Sequence, residues 1–570
     1  MKRVRLKITS CILCALEILL LCSCANNVFG KNSVADGFTD RPGEVKLCGD
    51  RLYAVSAGQG SDSIAVTAVN SDGPGEPDRI KMSLDSRTEY GVHSFDVITL
   101  LSRNDRVAAI CRVDIKNNGK TSGSYVCVVI LDVSDPSSPK VIGGSGISGS
   151  YEDCAVIGDS VAVAVTARDG DLDQNGRPFC WTDFDRRVEA PAYSSMDRNG
   201  KDRGFFRNFS AVLSVSAETG ELRGVFAADD CCKLFEFAPD RLFMFFERAY
   251  REAEPISGSG TLYESRLGAV AVAFADGVPV MAGETEIAAG MPDPQGVVYC
   301  SGRLYALLTE KLVSPHPWCL IDDCEYIEPK EYECVFMAVF SPDLKTVFSG
   351  KLSEKLSDPG ERAGRCFLSG GKLFCCYETT DAGKGFYCLD VSDPDAPPLL
   401  FKAETVGEIR ALRSCGDDRW ISLGYGGDGS ARLCEFSVSG GYRQIDSVTV
   451  TEEAPDLASS PDCLFFDPVS GLAGAPVYRR ADGSSPVSLY FLFKLGGSFA
   501  PFVRLDLGEA LDVSLPGEAC GAVLRDGWLF VCSRDGIAGV NVKDPSRIES
   551  VSYGAKSYGA RFGNGAIKYF

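Results

Sequence analysis

Histidine is almost missing from this chain of 570 residues: His93 and His316 are the only two. A zinc centre or a Ser-His-Asp triad needs imidazoles in supporting surroundings, and neither histidine has a local signature for one. Basic clusters are lacking as well. Lys and Arg number 58 against 78 Asp and Glu, a formal net charge of −20, and no Lys/Arg run offsets it locally. A polyanion of this kind is repelled by nucleic acid, so no nucleic-acid partner is expected. GxSxG and HExxH are absent, and GKT at 119–121 has Asp114 where a phosphate loop needs Gly. No long amphipathic helix period appears either. With 45% hydrophobic and 24% charged residues, 60 Gly and 28 Pro, the chain is neither collagen-like, disordered nor multispanning. What remains is a large, turn-rich globular protein.

The first 30 residues carry an export signal. Lys2, Arg3, Arg5 and Lys7 precede an apolar stretch from Ile8 to Leu21 that is too short and too interrupted to span a bilayer. It ends in LCSC at 21–24, with Leu three residues before Cys24 and a small Ser just before it. That pattern resembles the lipobox of bacterial lipoproteins and makes Cys24 the expected acylation site. Residues 1–23 then form the signal peptide and 24–40 a lipidated tether, which places the protein on the extracytoplasmic side of a cell membrane. Losing four basic groups and one acid with the signal makes the mature chain more negative still.

Of 24 cysteines, 20 remain after Cys11, Cys14, Cys22 and Cys24 are set aside. Many sit inside apolar, strand-like runs, where a thiol acts as a small hydrophobe. The local pair Cys319 and Cys324, in SPHPWCLIDDCEY, is the best candidate for a disulfide. No two CxxC pairs occur after the signal, so zinc is not expected.

One pattern recurs along residues 41–570: a turn, a short apolar strand, a polar loop and a second apolar strand. The starts are GDRLYAV at 49, NDRVAAI at 104, GDSVAVAV at 158, PDRLFMFF at 239, SGRLYALL at 301, GGKLFCCY at 370, DDRWISLG at 417, PDCLFF at 461 and RDGWLFVC at 525. The second strands carry a tag: VVILDVSDPSSPKVIG at 128–143, FYCLDVSDPDAPPLLF at 386–401 and a worn copy, GVNVKDPSRIESV, at 539–551. In each, the apolar run makes a strand and Asp-Pro stops it, because Pro has no amide hydrogen to give. Runs apolar on both faces belong between neighbouring sheets, and small/large alternation such as VAVAV at 161–165 suits sheets that taper toward an axis. These features predict an all-β fold, a β-propeller of four-stranded antiparallel blades closed into a ring. Eight blades is the central expectation, within a range of seven to nine: nine starts argue for nine, and the lower figure supposes that one terminal start only completes a blade. Insertions are expected near 167–208 and 312–333.

The stretches GSYEDCAVIGDSVAVAVT at 149–166, DPGERAGRCFLSGGKLFCC at 358–376, GFYCLDVSDPDAPPLLFKAE at 385–404, CGDDRWISLGYGGDG at 415–429 and LFFDPVSGLAGAPV at 464–477 resemble the bacterial secreted β-propeller domain family that is distantly WD40-like. The resemblance covers roughly 41–555 and implies fold and location, but no activity.

GDLDQNG at 170–176 gives Asp171, Asp173 and Asn175 before Gly176, the opening spacing of a calcium loop. Thr182 stands where an EF-hand wants Glu, so Asp183 or Asp185 is the candidate for the missing carboxylate; MDRNGKD at 196–202 offers a second, weaker set in Asp197, Asn199 and Asp202, and two solvated Asx turns remain the alternative. The aromatic residues of 167–208 suit either an interface or packing on the chain's own scaffold, with self-packing preferred. Two functions from different classes follow. The first is a membrane-anchored binding or scaffolding module for an unknown protein, peptide or glycan. The alternative is an extracytoplasmic carboxylate-based, calcium-assisted hydrolase.

Overall fold

The computed structural model describes residues 45–569 apart from short breaks and the longer segments 57–62, 85–91, 172–176, 197–207, 253–262, 314–330, 354–359, 452–463, 480–486, 495–500 and 513–518. Cys24 and the whole of 1–44 lie outside the described residues, as do Asp173, Asn175, Asp183, Cys319 and Cys324.

The chain is an all-β propeller of nine four-stranded antiparallel blades. In order they occupy 45–84, 92–148, 150–228, 234–287, 297–351, 361–405, 408–451, 465–506 and 519–552. Each blade is a meander of neighbouring strands, and the first strands lie nearest the axis while the fourth form the rim. The rim is correspondingly wet: the outer strand Thr346–Lys351 has no buried residue, whereas Trp528–Ser533, a second strand, is buried throughout.

Nine hydrophobic clusters fill the nine seams, one between each pair of adjacent blades. This is why the inner strands are apolar on both faces: each face meets a different neighbour. VAVAV at 161–165 shows the consequence, with Val161, Val163 and Val165 packed toward the second blade and Ala162 and Ala164 toward the fourth. The last seam joins the ninth blade to the first through Trp528, Phe530, Cys532 and Ile537 against Leu52, Ala54, Ala65 and Val69.

The count of nine, rather than the central expectation of eight, comes from how the ring closes. No strand is shared between the chain's ends, so the first and last blades are each complete; instead Tyr558–Gly563 adds in parallel to the outer strand Gly73–Leu84 of the first blade. Eight of the nine starts open the second strand of a blade, separated by two residues from the end of the first. PDCLFF is the exception, since Phe465–Asp467 is a first strand and the second begins at Leu472. Among the described residues one short helix, Leu507–Leu511, interrupts the all-β pattern; Asp506 caps it by accepting from the Gly508 and Glu509 amides at 2.9 and 3.3 Å. Its Leu507 and Leu511 plug the seam between the eighth and ninth blades.

The two faces differ. On one, the connections are the tight first-to-second turns and the Asp-Pro loops; on the other, the strands that bound the longer connections 169–207, 253–262, 314–330 and 507–518 come to an end.

Candidate functional site

The long-connection face gathers a set of buried and half-buried charges at blades five to seven. Glu361 opens the first strand of the sixth blade, Glu361–Ser369, and is buried. Tyr387, from the third strand, donates its hydroxyl to the Glu361 carboxylate, and Lys402, from the fourth, donates from Nζ to Glu361 Oε1 at 2.6 Å. The Lys402 ammonium also stands 4.7 Å from the ring centroid of Tyr377 and 5.4 Å from that of Tyr387. Register brings these groups together, because Lys402 lies opposite Tyr387, which in turn lies opposite Cys375. Burial, followed by the Glu361 carboxylate, raises the Tyr387 phenol far above its ordinary range, so it remains a neutral donor. Burial works to lower the Lys402 ammonium, but the hydrogen bond and charge of Glu361 outweigh it and hold it above its usual value.

Charges continue on both sides. Across the seam to the fifth blade, Arg362 donates to Glu333, which is buried, and the Ala363 amide donates to Thr309 Oγ1 at 2.8 Å. Toward the seventh blade, Lys384 Nζ lies 3.4 Å from Glu408, which pairs at 2.7 Å with Arg410, and the Arg410 guanidinium sits 5.3 Å over the Tyr425 ring. The result is a run of cations resting on tyrosine faces and backed by carboxylates. Such a surface offers donors, acceptors and flat apolar area together, the mix that holds a sugar or an extended peptide. Among the described residues the buried glutamates Glu333, Glu361 and Glu435 face Arg362, Lys402 and Arg419 respectively. Each is engaged as the acceptor of an ion pair.

Of the residues singled out in sequence, Asp171 alone among the calcium set is described. Its backbone carbonyl accepts from Ser148 Oγ at 2.6 Å and from the Phe179 amide at 3.2 Å, tying the insertion to the end of the second blade. The described part of that insertion packs on its own scaffold. Cys180–Thr182 and Arg186–Val188 extend the rim of the second blade, and Tyr193–Met196 adds in parallel to the rim of the third. Trp181 is buried and stacks on Tyr125 at 4.7 Å, while Arg187 lies over Phe179 and Trp181. His93 falls on the first strand of the second blade. Among the described residues, no three His, Cys, Asp or Glu side chains gather as a metal site would require.

The tagged strands have a shared geometry of their own. Asp132 Oδ1 accepts from the Ser134 amide at 3.0 Å and Asp390 Oδ1 from the Ser392 amide at 2.9 Å, each closing the loop between third and fourth strands. Asn541 does the same in the ninth blade, accepting from the Lys543 and Asp544 amides at 3.0 and 3.1 Å. Residues 120–144 match the LVIVD repeat. The LVIVD match spans the third strand of the second blade and runs into its fourth, and the tags at 386–401 and 539–551 occupy the equivalent places in the sixth and ninth. No curated protein matches the chain in sequence. Similar solved structures include the uncharacterized protein lmo1340 from Listeria monocytogenes EGD-e, 6% identical, covering 84% of this chain and 98% of that one with a TM-score of 0.32. Sqt1 of Saccharomyces cerevisiae is 9% identical over 82% of this chain and 88% of its own, with a TM-score of 0.33.

The polar corner at blades five to seven had no local signal in sequence. Glu361 meets partners 26 and 41 residues away. A faint trace exists in hindsight: the inner strands of blades six and seven open as ERAGR and EIRAL, both placing Glu and Arg where an inner strand meets the long-connection face.

Proposed function

We propose that this chain is a membrane-anchored, extracytoplasmic β-propeller that acts as a binding or scaffolding module, receiving a protein, peptide or glycan partner on its long-connection face. The observation that carries this reading is the asymmetry of the ring: the long connections and the Glu361–Lys402–Tyr387 corner share one face, while the other is built of short turns. Binding residues concentrate on loops held by a rigid scaffold, and a propeller supplies that scaffold. Anchoring rests on Cys24 in LCSC, and calcium at Asp171, Asp173, Asn175 and Asp183 would order the longest insertion.

Two measurements test it. The full chain is screened against immobilised glycans and peptides, and any hit is repeated with Lys402→Ala plus Arg410→Ala, and separately with Asp395→Ala on the turn face. Loss of capture only in the first variant supports the reading; loss only in the second overturns it. A Cys24→Ser chain should leave the membrane fraction, since it lacks the acyl chains that would supply apolar area. Unchanged fractionation would remove the anchor from the proposal.

A further inference from the structure

Many described cysteines lie within the strands, Cys366 and Cys375 among them. One pair among them is placed differently from the rest. Cys366, on the first strand of the sixth blade, is the direct cross-strand partner of Cys375 on the second, and their sulfurs lie 3.7 Å apart. Both are buried, in the seam with the fifth blade.

The ladder shows which kind of pair this is. The hairpin turns through Gly370 and Gly371, both at positive φ, 58° and 71°, so Ser369 and Lys372 flank a two-residue loop. Antiparallel partners alternate between hydrogen-bonded and non-hydrogen-bonded from that closing pair outward, which makes Cys366 and Cys375 a non-hydrogen-bonded pair. The amides agree: Cys366 N–H points away from Cys375 and donates to Gln295 O in the preceding blade at 2.7 Å. Non-hydrogen-bonded partners bring their α-carbons to about 4.5 Å and their side chains closer together, within the span that a disulfide bridges. Neighbouring thiols compete poorly. Cys376 points to the opposite face of the strand, and the cross-strand pair Cys111 and Cys127 turn their sulfurs to the Ala109 and Val128 carbonyls.

We infer that Cys366 and Cys375 form a disulfide when this chain folds under oxidising conditions. The oxidant is a small-molecule or protein disulfide. One cysteine thiolate attacks it, forming a mixed disulfide and releasing one thiol of the oxidant. The second cysteine then attacks the mixed bond, closing the Cys366–Cys375 bond and releasing the other thiol; two protons and two electrons leave the cysteines and reduce the oxidant. Burial pushes the Cys375 thiol well up, so closure belongs to folding, before the seam with the fifth blade seals. The bond would fix the two strands that position Glu361, Arg362 and Tyr377.

The test uses the full chain without its signal, refolded from the reduced, unfolded state in a buffer of oxidised and reduced glutathione. A second sample is produced in an oxidising bacterial periplasm. Each is unfolded in alkylating reagent without reductant and mapped by mass spectrometry. The expected result is a peptide pair linked through Cys366 and Cys375 in both samples, with Cys111 and Cys127 alkylated. Reductant should lower the melting temperature of the wild type by more than it lowers that of a Cys366→Ala, Cys375→Ala chain. Full alkylation of both cysteines in both samples, or linkage of either one to Cys300 or Cys376 instead, overturns the inference. If the double variant does not fold, the peptide map of the wild type still decides.

Discussion

The two faces of the ring are made from the same strands and put to different use. On the turn face, first-to-second connections are two residues long in eight of nine blades, and the large buried aromatics Trp420 and Trp528 stand at the starts of second strands, immediately beside those turns. On the other face the strands run out into connections of up to 39 residues, and the buried groups at the strand ends include the charged Glu333 and Glu361. Buried tryptophans thus stand beside tight reversals, and buried charges beside the long connections.

This contrast breaks most sharply at Trp528. It is fully buried in the seam between the ninth and first blades, and Trp528→Ala should cost about 3–5 kcal/mol by leaving a cavity there. Denaturant unfolding would read it as a lower midpoint; a midpoint near that of the wild type would mean the seam contributes little. A smaller effect is expected on the other face. Glu361→Ala strips the Tyr387 hydroxyl of its acceptor, a loss of about 1–3 kcal/mol. Lys402→Ala should cost less, because that side chain is 43% exposed.

Acid provides a third comparison, within the turn face. The Ser392 amide foremost, then its side chain, holds the Asp390 carboxyl below its ordinary range, and hydrogen bonds from Ser134 with help from Arg106 do the same for Asp132. A carboxylate lowered on folding contributes stability that is present above the unfolded pKa, about 3.9, and lost as pH falls through the lower folded value. Unfolding followed from pH 5 down to about 2 should therefore show a loss that Asp390→Asn reduces, since Asn541 already fills the same role in the ninth blade without titrating. An unchanged acid limb would show that the turn is held by its prolines alone. The smallest effect is expected from calcium. Raising it to several millimolar should lift the melting temperature slightly, and Asp171→Ala with Asp173→Ala should abolish the lift. Indifference to both calcium and EDTA would leave two solvated turns.

The propeller was legible because its instructions are local. A turn, an apolar strand of a few residues and an Asp-Pro stop each act within a dozen positions, and they recur. Blade number was less legible, since closure depends on whether the chain's ends share a sheet, and Leu52 and Trp528 meet only after everything between them has folded. PDCLFF misled for a related reason: Leu464–Phe466 and Leu472–Val477 are both apolar runs next to turns, and apolar character does not distinguish a first strand from a second. The corner around Glu361 lay beyond reach, because its geometry exists only once all four strands of one blade are in register.

Closure by packing has a consequence for how such a ring is made and altered. The four meander strands of each blade follow one another along the chain, so blades can form in order as the chain emerges, and the meeting of the ninth with the first comes last. In blades six to nine, whose sheets hold only their own four strands, a deletion that removes one whole stretch also leaves no orphaned strand behind. Ring size is then a matter of gene length, adjusted in steps of one blade, with the remaining seams absorbing the change in angle.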